Sequence, residues 1–284
     1  MAVKFRFKGH ESFILRDGWL TKGLVAVKED PFVFTKNKGA DALGVGTNMA
    51  NSIKYWLTTG ELIKSVPSAG FQLTPLGELI YENDRYFEDI FSLWLFHIHT
   101  VRNFAMATTW NVFFNDFDAS TFSRKTFLRT MIEKCYEATS AESLPEASIE
   151  NDCSCILAMY SDGREDAGDP EDKKISPFSV LGLLAQDRNS YEKKRPSLEN
   201  VDDLLILYTI ADRFDGDHLT IDEIVSAPNM PGRLFNLSRL SINDALDRLA
   251  DKGFLTVNRT AGIDMVYKKE KLDSFEIVRK HYSV

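Results

Sequence analysis

Cysteine is scarce in this sequence, and only Cys135, Cys153 and Cys155 occur among its 284 residues. Three cysteines cannot cross-link a secreted scaffold of this size, so we expect a reducing, cytoplasmic location. Long hydrophobic runs are also absent, since no segment approaches the roughly 18 consecutive apolar residues of a membrane-spanning helix. The first nine residues alternate basic and apolar side chains, whereas a signal peptide carries an apolar block. We therefore expect a cytoplasmic protein that does not associate with membranes.

The composition excludes collagen-like, low-complexity and wholly disordered chains. Apolar residues make up 44% of the sequence and aromatic residues 12%, which is ample material for hydrophobic cores. The length is typical of two or three domains.

Positive charge is in the minority overall, but the charge is unevenly distributed. The formal net charge is −8, from 34 Lys and Arg against 42 Asp and Glu. Residues 142–172 contain ten acidic residues and one base, so this segment alone carries −9. Residues 1–40, by contrast, contain eight basic and four acidic residues. Because electrostatic fields fade over about 10 Å at moderate salt, this local excess matters more to a polyanion than the total.

The N-terminal part of the chain follows the element order of a winged helix-turn-helix domain. Residues 3–8 alternate apolar and basic side chains, which predicts a strand. A short buried helix is predicted around residues 19–24. The Gly-Val-Gly turn at residues 44–46 then leads to Thr47, the expected N-cap of a helix that begins at Asn48.

This helix has one narrow apolar stripe, formed by Met49, Ile53, Trp56 and Leu57. Its opposite side carries Asn48, Asn51, Lys54, Tyr55 and Thr58. Gly60 ends the helix, residues 62–66 and 71–73 can pair as strands, and a further helix begins at residue 74. Together these elements predict a winged helix-turn-helix.

The C-terminal part repeats the same order. Helices are predicted at residues 201–214 and 220–225, and Ser241 to Asp244 resembles a capping box that opens a third helix. The apolar side chains of this helix are predicted to face the core, namely Ile242, Ala245, Leu246 and Leu249. Gly253 ends it, and strands follow at residues 254–257 and 265–268, separated by a turn at 260–262.

Between the two ends, residues 86–160 show aromatic side chains at helical spacing and predict several buried helices. Residues 177–184 lack a clear period and fit either a short helix or a strand. We expect a loop at residues 161–174, which are rich in Gly, Asp and Pro.

The predicted fold class is therefore mainly α, with N- and C-terminal winged helix-turn-helix domains joined by a helical connector. The predicted boundaries are 1–84, 85–196 and 197–284.

Charge distinguishes the two predicted winged helices. No acidic residue lies between Asp41 and Glu61, so the N-terminal helix can approach DNA without repulsion. Its Asn side chains are of the kind that bind adenine edges, and Lys54 can reach a phosphate. The C-terminal helix instead exposes an acidic stripe, formed by Asp244, Asp247 and Asp251.

We therefore predict that the N-terminal domain binds double-stranded DNA and that the C-terminal domain packs or binds a partner. The predicted DNA contacts are Lys4, Arg6, Lys8, Arg16, Lys22, Lys36, Lys38, Asn48, Asn51 and Lys54. In the alternative interpretation, both helices are solvated faces of ordinary helical domains.

Two constellations of possible metal ligands fit known sites poorly. His97 and His99 with Cys153 and Cys155 supply four zinc-type ligands, but their one-residue spacings are unusual for zinc. The run Glu171-Asp172-Lys173, with Asp152 or Asp162 upstream, has the residue types of a restriction-type nuclease motif. That chemistry requires a rigid strand, whereas the run falls in the predicted loop.

His10 and Glu11 form the strongest catalytic candidate. They lie between basic residues, where a general base and a metal-binding or orienting carboxylate would be adjacent to phosphate contacts. Alternatively, His10 donates a hydrogen bond to a phosphate and Glu11 pairs with Arg16. No glycine-rich phosphate loop or nucleophile elbow is present.

Several motifs resemble a known bacterial family. They are GHESF (residues 9–13), RDGWLTKG (16–23), LGVGTNM (43–49), WL (56–57), LTPLG (73–77) and SPFSVLG (176–182). With these motifs the sequence resembles the bacterial DNA-phosphorothioation-associated family that includes SspB, the nicking component of the Ssp defence system. The resemblance extends over most of the chain, and its N-terminal motifs are the most specific.

The resemblance implies a role in antiviral defence, in which sulfur replaces a non-bridging phosphate oxygen of DNA. It also implies partner proteins, namely a cysteine desulfurase, an ATP-dependent sulfur-activating enzyme and an ATPase. Single-strand nicking assisted by a divalent metal, Mg²⁺ or Mn²⁺, is the implied activity. Two other functions remain open: a non-catalytic DNA-binding adaptor and a transcriptional regulator.

Overall fold

The computed structural model describes residues 3–35, 37–161, 176–211, 217–260, 263–269 and 273–283. The chain divides into two compact units, an N-terminal unit of residues 1–194 and a C-terminal unit of residues 195–284. The predicted domains 1–84 and 85–196 fall almost entirely within the first unit. Lys36, the Glu171-Asp172-Lys173 run, Asp162 and most of the predicted loop at 161–174 lie outside the described residues.

The N-terminal unit is mainly helical. Its first elements are helix α1 (Trp19–Glu29), the short α2 (Ala40–Leu43), α3 (Thr47–Thr59), strands β1 (Ile63–Val66) and β2 (Gly70–Leu73), and α4 (Pro75–Asn83). Strands β1 and β2 form an antiparallel hairpin in which Ile63 pairs with Leu73. The side chain of Thr74 caps α4 by accepting a hydrogen bond from the Gly77 backbone N–H, and Pro75 occupies the first turn.

The predicted strand at residues 3–8 is wrong, because this segment has no regular secondary structure. Its backbone N–H groups bond to side chains instead of a neighbouring strand: Arg6 N–H donates to Thr108 Oγ1 and Lys8 N–H to Asp152 Oδ1, each at 2.9 Å. Lys8 has a left-handed backbone, with φ of 55°, which interrupts an extended run.

Helix α3 begins one residue earlier than expected. Gly46 is its N-cap and Thr47 is its first residue, so the predicted threonine cap is wrong. Ile53, Trp56 and Leu57 are buried as the apolar stripe requires. Tyr55, predicted on the polar side, is also buried, and its hydroxyl donates a hydrogen bond to the Met106 carbonyl at 2.9 Å.

The middle of the N-terminal unit consists of α5 (Ile90–Arg102), α6 (Thr108–Asp116), α7 (Arg124–Thr139) and α8 (Glu146–Tyr160). The sequence did not predict the three-stranded antiparallel sheet that accompanies these helices, in the order β3 (Thr121–Ser123), β5 (Ser190–Lys193), β4 (Leu184–Asp187). A 3-10 helix at Pro177–Leu181 precedes β4, so the ambiguous segment contains both a helix and the start of a strand. The aromatic side chains form the core, with Trp56, Trp94 and Trp110 fully buried.

The C-terminal unit contains α9 (Asp203–Ala211), β6 (His218–Thr220), α10 (Ile221–Ser226), α11 (Pro231–Leu234), α12 (Arg239–Asp251), β7 (Leu255–Thr260), β8 (Ile263–Lys268) and α13 (Ser274–Tyr282). Its strands form a sheet in the order β6-β8-β7. The four inward residues predicted for α12 are all buried, namely Ile242, Ala245, Leu246 and Leu249.

The predicted capping box at Ser241 is wrong. Helix α12 begins at Arg239, and its N-cap is Ser238, whose hydroxyl accepts from the Ser241 backbone N–H. The capping box lies instead on α10, between Thr220 and Glu223. The end of the predicted 201–214 helix and part of the 260–262 turn lie outside the described residues. Among the described helices, none combines the length and the apolar character that a membrane crossing requires.

Candidate functional site: a cationic pocket on the N-terminal unit

The predicted DNA-binding cations are mostly exposed. Lys4, Arg6, Lys8, Lys22 and Lys38 are exposed, and Arg16 and Lys54 are half-buried. Within the described part of the chain, none of these seven has a carboxylate oxygen within 4.0 Å. Their charges are therefore not neutralised by direct ion pairs and remain available to an anion.

Several of these residues meet in one pocket, hereafter the cationic pocket. Its volume is about 410 Å³. It is lined by Arg6, Gly9, Glu11, Lys38, Asn51, Lys54, Tyr55, Thr58, Phe71 and Met106. The irregular N-terminal segment, the turn before α2, helix α3 and strand β2 each contribute to the wall. Five predicted site residues from three stretches of the sequence thus share one cavity.

The electrostatics of the cationic pocket favour an anion. The pKa of Lys54 lies below its ordinary value, because of burial and then because of the positive charges of Lys38 and Arg6. The three cations therefore repel one another, and a bound anion would relieve that repulsion.

Strained backbone surrounds the pocket. Glu11 and Lys38, two of its lining residues, have left-handed φ values of 52°, and their neighbours Ser12 and Asn37 have φ values of 67° and 41°. Such conformations cost free energy in non-glycine residues and cluster at functional sites. The strain fixes where the Glu11 and Lys38 side chains enter the pocket.

A close approach at Gly9 determines the shape of one wall. A Cβ atom at this position would lie 2.2 Å from the Tyr55 ring and 2.8 Å from Arg6 Nε. The guanidinium of Arg6 lies over the Tyr55 ring at 5.2 Å from its centroid. Glycine is therefore required for Tyr55 and Arg6 to pack together here.

His10 does not line the pocket, although its neighbours do. Its side chain is fully buried, and Nε2 lies 2.8 Å from Asp152 Oδ1. This hydrogen bond ties the His10 ring to the Asp152 carboxyl group in the interior. The imidazole also stacks on Trp56, with 5.8 Å between ring centroids.

Asp152 organises this interior network. Its side chain is 2% exposed and accepts hydrogen bonds from Lys8 N–H at 2.9 Å and from the Thr109 hydroxyl at 2.7 Å, in addition to the contact with His10. The carboxylate thereby links the N-terminal segment to helices α6 and α8. The predicted His10–Glu11 pair separates into a buried histidine and an exposed glutamate, and a catalytic role for the pair stays a prediction.

The remaining predicted residues lie outside the pocket wall. Asn48 is exposed at the start of α3, and Lys22 is exposed on α1. The Arg16 guanidinium lies over the Phe13 and Trp19 rings, at 5.8 and 5.3 Å from their centroids. Among the described residues Arg16 has no ion pair with Glu11, so the alternative interpretation of Glu11 as its partner is wrong.

Sequence reasoning missed the uncharged lining residues Tyr55, Thr58, Phe71 and Met106. Tyr55 and Thr58 were assigned to the polar side of α3, which is the correct helix face for the pocket. No sequence signal pointed to Met106, which reaches the site through the turn between α5 and α6.

The described residues contain no group of three or more His, Cys, Asp and Glu side chains placed to hold a metal ion. The zinc-type constellation does not assemble, because His97 Nδ1 contacts the Tyr160 hydroxyl at 2.9 Å while His99 Nδ1 contacts Glu61 at 2.7 Å. Burial raises the pKa of the Cys153 and Cys155 thiols. In the cationic pocket Glu11 is the one carboxylate among the described lining residues, and Mg²⁺ held by one or two carboxylates completes its ligand shell with water and substrate phosphates.

Comparisons with known proteins agree with this fold. A family model described as "Protein of unknown function (DUF4007)" matches residues 7–282. The structure entitled "Magnesium ion-bound SspB crystal structure" superposes with a TM-score of 0.87 at 23% identity, over 98% of this chain and 88% of that chain. A second SspB crystal structure gives a TM-score of 0.86 at 24% identity over the same shares. At this identity the likeness shows a common fold, and it confirms the resemblance to the SspB family. A search of curated proteins gave no match.

Proposed function

The chain belongs to the family described as protein of unknown function (DUF4007), and on this premise we propose that it is a DNA-binding component of a bacterial DNA phosphorothioation and defence system. Its fold is that of SspB, which supports a place in such a system. By the family resemblance, its partners are a cysteine desulfurase, a sulfur-activating enzyme and an ATPase.

One observation carries the proposal of DNA binding: cations without carboxylate partners converge at the cationic pocket. Duplex DNA carries one negative charge per about 1.7 Å of its axis, and lysine and arginine side chains supply most of the affinity for it. Arg6, Lys38 and Lys54 line one pocket, so their charges act together on phosphates that approach it. Lys4 and Lys8 extend the positive surface along the N-terminal segment.

The arrangement of α1, α2, α3, β1 and β2 supports a winged helix-turn-helix at the N-terminal end. In this interpretation α3 is the recognition helix, Asn48 at its exposed start faces the major groove, and the β1–β2 hairpin is the wing. We propose the same architecture for the C-terminal unit, with α12 in the corresponding place.

In the C-terminal unit the equivalent surface is unsuited to DNA. Asp244, Asp247 and Asp251 are exposed along α12. The cations beside them are already paired, since Arg259 contacts Asp247 at 2.7 Å and Arg239 contacts both Asp222 and Asp264. We therefore assign this unit to packing or to binding a protein partner.

A salt titration tests DNA binding. Fluorescence anisotropy of a labelled duplex should show affinity falling steeply between roughly 50 and 200 mM salt, with a slope of about −0.9 per phosphate contact. A flat salt response, or no binding at low salt, would contradict the proposal.

Beyond DNA binding, the proposal includes cleavage of one DNA strand. Incubation of the full chain with supercoiled plasmid and Mg²⁺ or Mn²⁺ should yield open circles, with a chelator as the control. Loss of nicking in Glu11→Gln would support Glu11 as a catalytic residue. His10→Ala should reduce nicking indirectly. Its buried imidazole does not line the pocket, but its loss should shift the N-terminal segment that carries Arg6 and Glu11.

The non-catalytic adaptor is the second candidate, since the unpaired cations of the N-terminal unit support DNA binding and require no cleavage. It predicts that the full chain protects DNA without cutting it at any metal concentration. A transcriptional regulator would instead bind a preferred operator, usually as a two-fold dimer.

A further inference from the structure

The cationic pocket is larger than a backbone phosphate requires. Its volume of about 410 Å³ falls within the range of roughly 300–1,000 Å³ of sites that enclose small organic ligands. Contacts to phosphates on a duplex are made by exposed side chains and backbone N–H groups and need no cavity. The dimensions therefore leave room for an occupant larger than a phosphate.

The wall of the pocket combines two kinds of chemistry. Arg6, Lys38 and Lys54 provide positive charge, as described above. Phe71 provides an aromatic surface, is half-buried, and is held by an edge-on contact with Phe34 at 5.5 Å between ring centroids. Aromatic rings of this kind stack on nucleic-acid bases.

Asn51 completes this second part of the wall. Its half-buried side chain lines the same cavity. An asparagine amide donates and accepts hydrogen bonds, and it pairs well with the edge of a base. In the sequence Asn51 was predicted to contact bases in the major groove, whereas its position in the pocket suits a base that enters the cavity.

From this combination we propose that the cationic pocket holds a single nucleotide unit of a DNA strand, with its phosphate at Arg6, Lys38 and Lys54 and its base at Phe71 and Asn51. The inference rests on the DNA binding proposed above. A base inside the duplex stack cannot enter a concave site, so the nucleotide must turn out of the helix. Unstacking costs least at a mismatched pair, which provides a direct test.

The site is preorganised for this task. The Tyr55 hydroxyl is anchored to the Met106 carbonyl at 2.9 Å, and the left-handed backbone of Glu11 and Lys38 fixes two entry points of side chains. A wall that is already in place loses little conformational entropy when a ligand binds.

The first experiment measures binding of nucleotide fragments to the full chain by calorimetry. The probes are 2′-deoxyadenosine 5′-monophosphate, 2′-deoxyribose 5-phosphate, which lacks the base, and inorganic phosphate. We expect one-to-one binding of the monophosphate, roughly fivefold or more tighter than binding of the sugar phosphate, because stacking adds to the charge contacts. Equal affinities for the two probes, or no binding of the monophosphate, would overturn the proposal.

Substitutions in the pocket wall test which residues contact the base and which contact the phosphate. Phe71→Leu should remove the advantage of the monophosphate over the sugar phosphate, and Lys38→Gln should weaken both. Lys28→Gln is the matched control, since Lys28 lies outside the pocket and pairs with Glu78 at 2.6 Å. Because Phe71→Leu can disturb packing against Phe34, Asn51→Ala provides a second test of base contact. Unchanged preference for the monophosphate in both variants would overturn the assignment of the base.

A further experiment distinguishes binding of a nucleotide within a DNA strand from binding of a free mononucleotide. The full chain should bind a duplex with one mismatched pair more tightly than the matched duplex, and the monophosphate should compete with the mismatched duplex. Monophosphate binding without competition would overturn the proposal. If no duplex binds at low salt, the proposed function itself fails, whereas binding without a mismatch preference rejects only this inference.

Discussion

The cations of the two units differ in whether a carboxylate pairs with them. In the N-terminal unit Arg6, Lys38 and Lys54 face a pocket without a carboxylate within ion-pair distance, among the residues that the structure describes. In the C-terminal unit Arg248 and Lys252 both contact Asp203, at 2.7 and 3.1 Å. In the proposed function this difference in pairing directs DNA to the N-terminal unit, because a cation already held by a carboxylate offers little net field to a polyanion.

The buried carboxylates of the two units also differ in their partners. Asp152 in the N-terminal unit binds His10, a backbone N–H and a hydroxyl, all within the interior. Asp203 in the C-terminal unit binds two long side chains that extend from the surface. The first carboxylate holds a chain segment in place, whereas the second neutralises charge.

The largest effect on stability is expected for Asp152→Ala. Removing this carboxylate leaves the His10, Lys8 and Thr109 donors without an acceptor, which should lower the free energy of unfolding by about 3–5 kcal/mol. Urea denaturation monitored for the N-terminal unit measures the change. The control Asp247→Ala removes an exposed ion pair and should cost less than about 1 kcal/mol. Equal small losses in both variants would show that the interior network does not hold the segment.

DNA affinity should respond to charge in one unit only. Lys38→Gln and Lys54→Gln should each weaken duplex binding and reduce the salt slope by about one, because each removes one phosphate contact. Arg259→Gln in the C-terminal unit should leave both quantities unchanged. Fluorescence anisotropy across a salt series measures them, and an equal effect of Arg259→Gln would break the comparison between the units.

Substitution of Gly9 tests the close approach in the pocket wall. A Cβ atom would lie 2.2 Å from the Tyr55 ring, so Gly9→Ala should destabilise the protein by about 1–3 kcal/mol through overpacking. It should also weaken DNA binding, because Arg6 must shift. Gly46→Ala is the control, since its Cβ meets nothing within 4 Å and its φ is −64°. Thermal melting of both variants gives the comparison, and equal melting temperatures would show that Tyr55 yields freely.

The smallest expected effect is on the stability of the C-terminal unit at low pH. Burial tends to raise the pKa of Asp203, but hydrogen bonds from Arg248 and Lys252 outweigh it and hold the pKa below its ordinary value. The carboxylate therefore stabilises the fold above its unfolded pKa, and this contribution is lost as the pH falls through the lower folded value. Asp203→Asn should flatten the acid limb of the stability curve of the C-terminal unit. An unchanged acid limb in chemical denaturation would contradict this role.

The sequence predicted those features that depend on local pattern. The apolar stripe of α3, its end at Gly60, the β1–β2 hairpin and the excess of positive charge at the N-terminus all follow from neighbouring residues. The basic residues of the pocket were predicted for the same reason, since charge can be counted along the chain.

Features that depend on distant contacts could not be predicted. Lys8 and Asp152 are 144 residues apart, and their hydrogen bond replaces the strand pairing that the alternation at residues 3–8 suggested. Tyr55 is polar enough for a helix surface but becomes buried because Gly9 leaves room for its ring. His10 and Glu11 are neighbours in sequence, but the His10 side chain is buried against the distant Asp152, whereas the Glu11 side chain is exposed. The local sequence could not predict this separation.

Amide hydrogen exchange of the full chain with and without duplex DNA tests most directly whether DNA binds the N-terminal unit. DNA should slow exchange in the N-terminal segment, in α3 and around Lys38, where the unpaired cations lie. Exchange along α12 and β7 in the C-terminal unit should stay unchanged. Protection of α12 and β7 with no change around the cationic pocket would show that DNA binds the other unit.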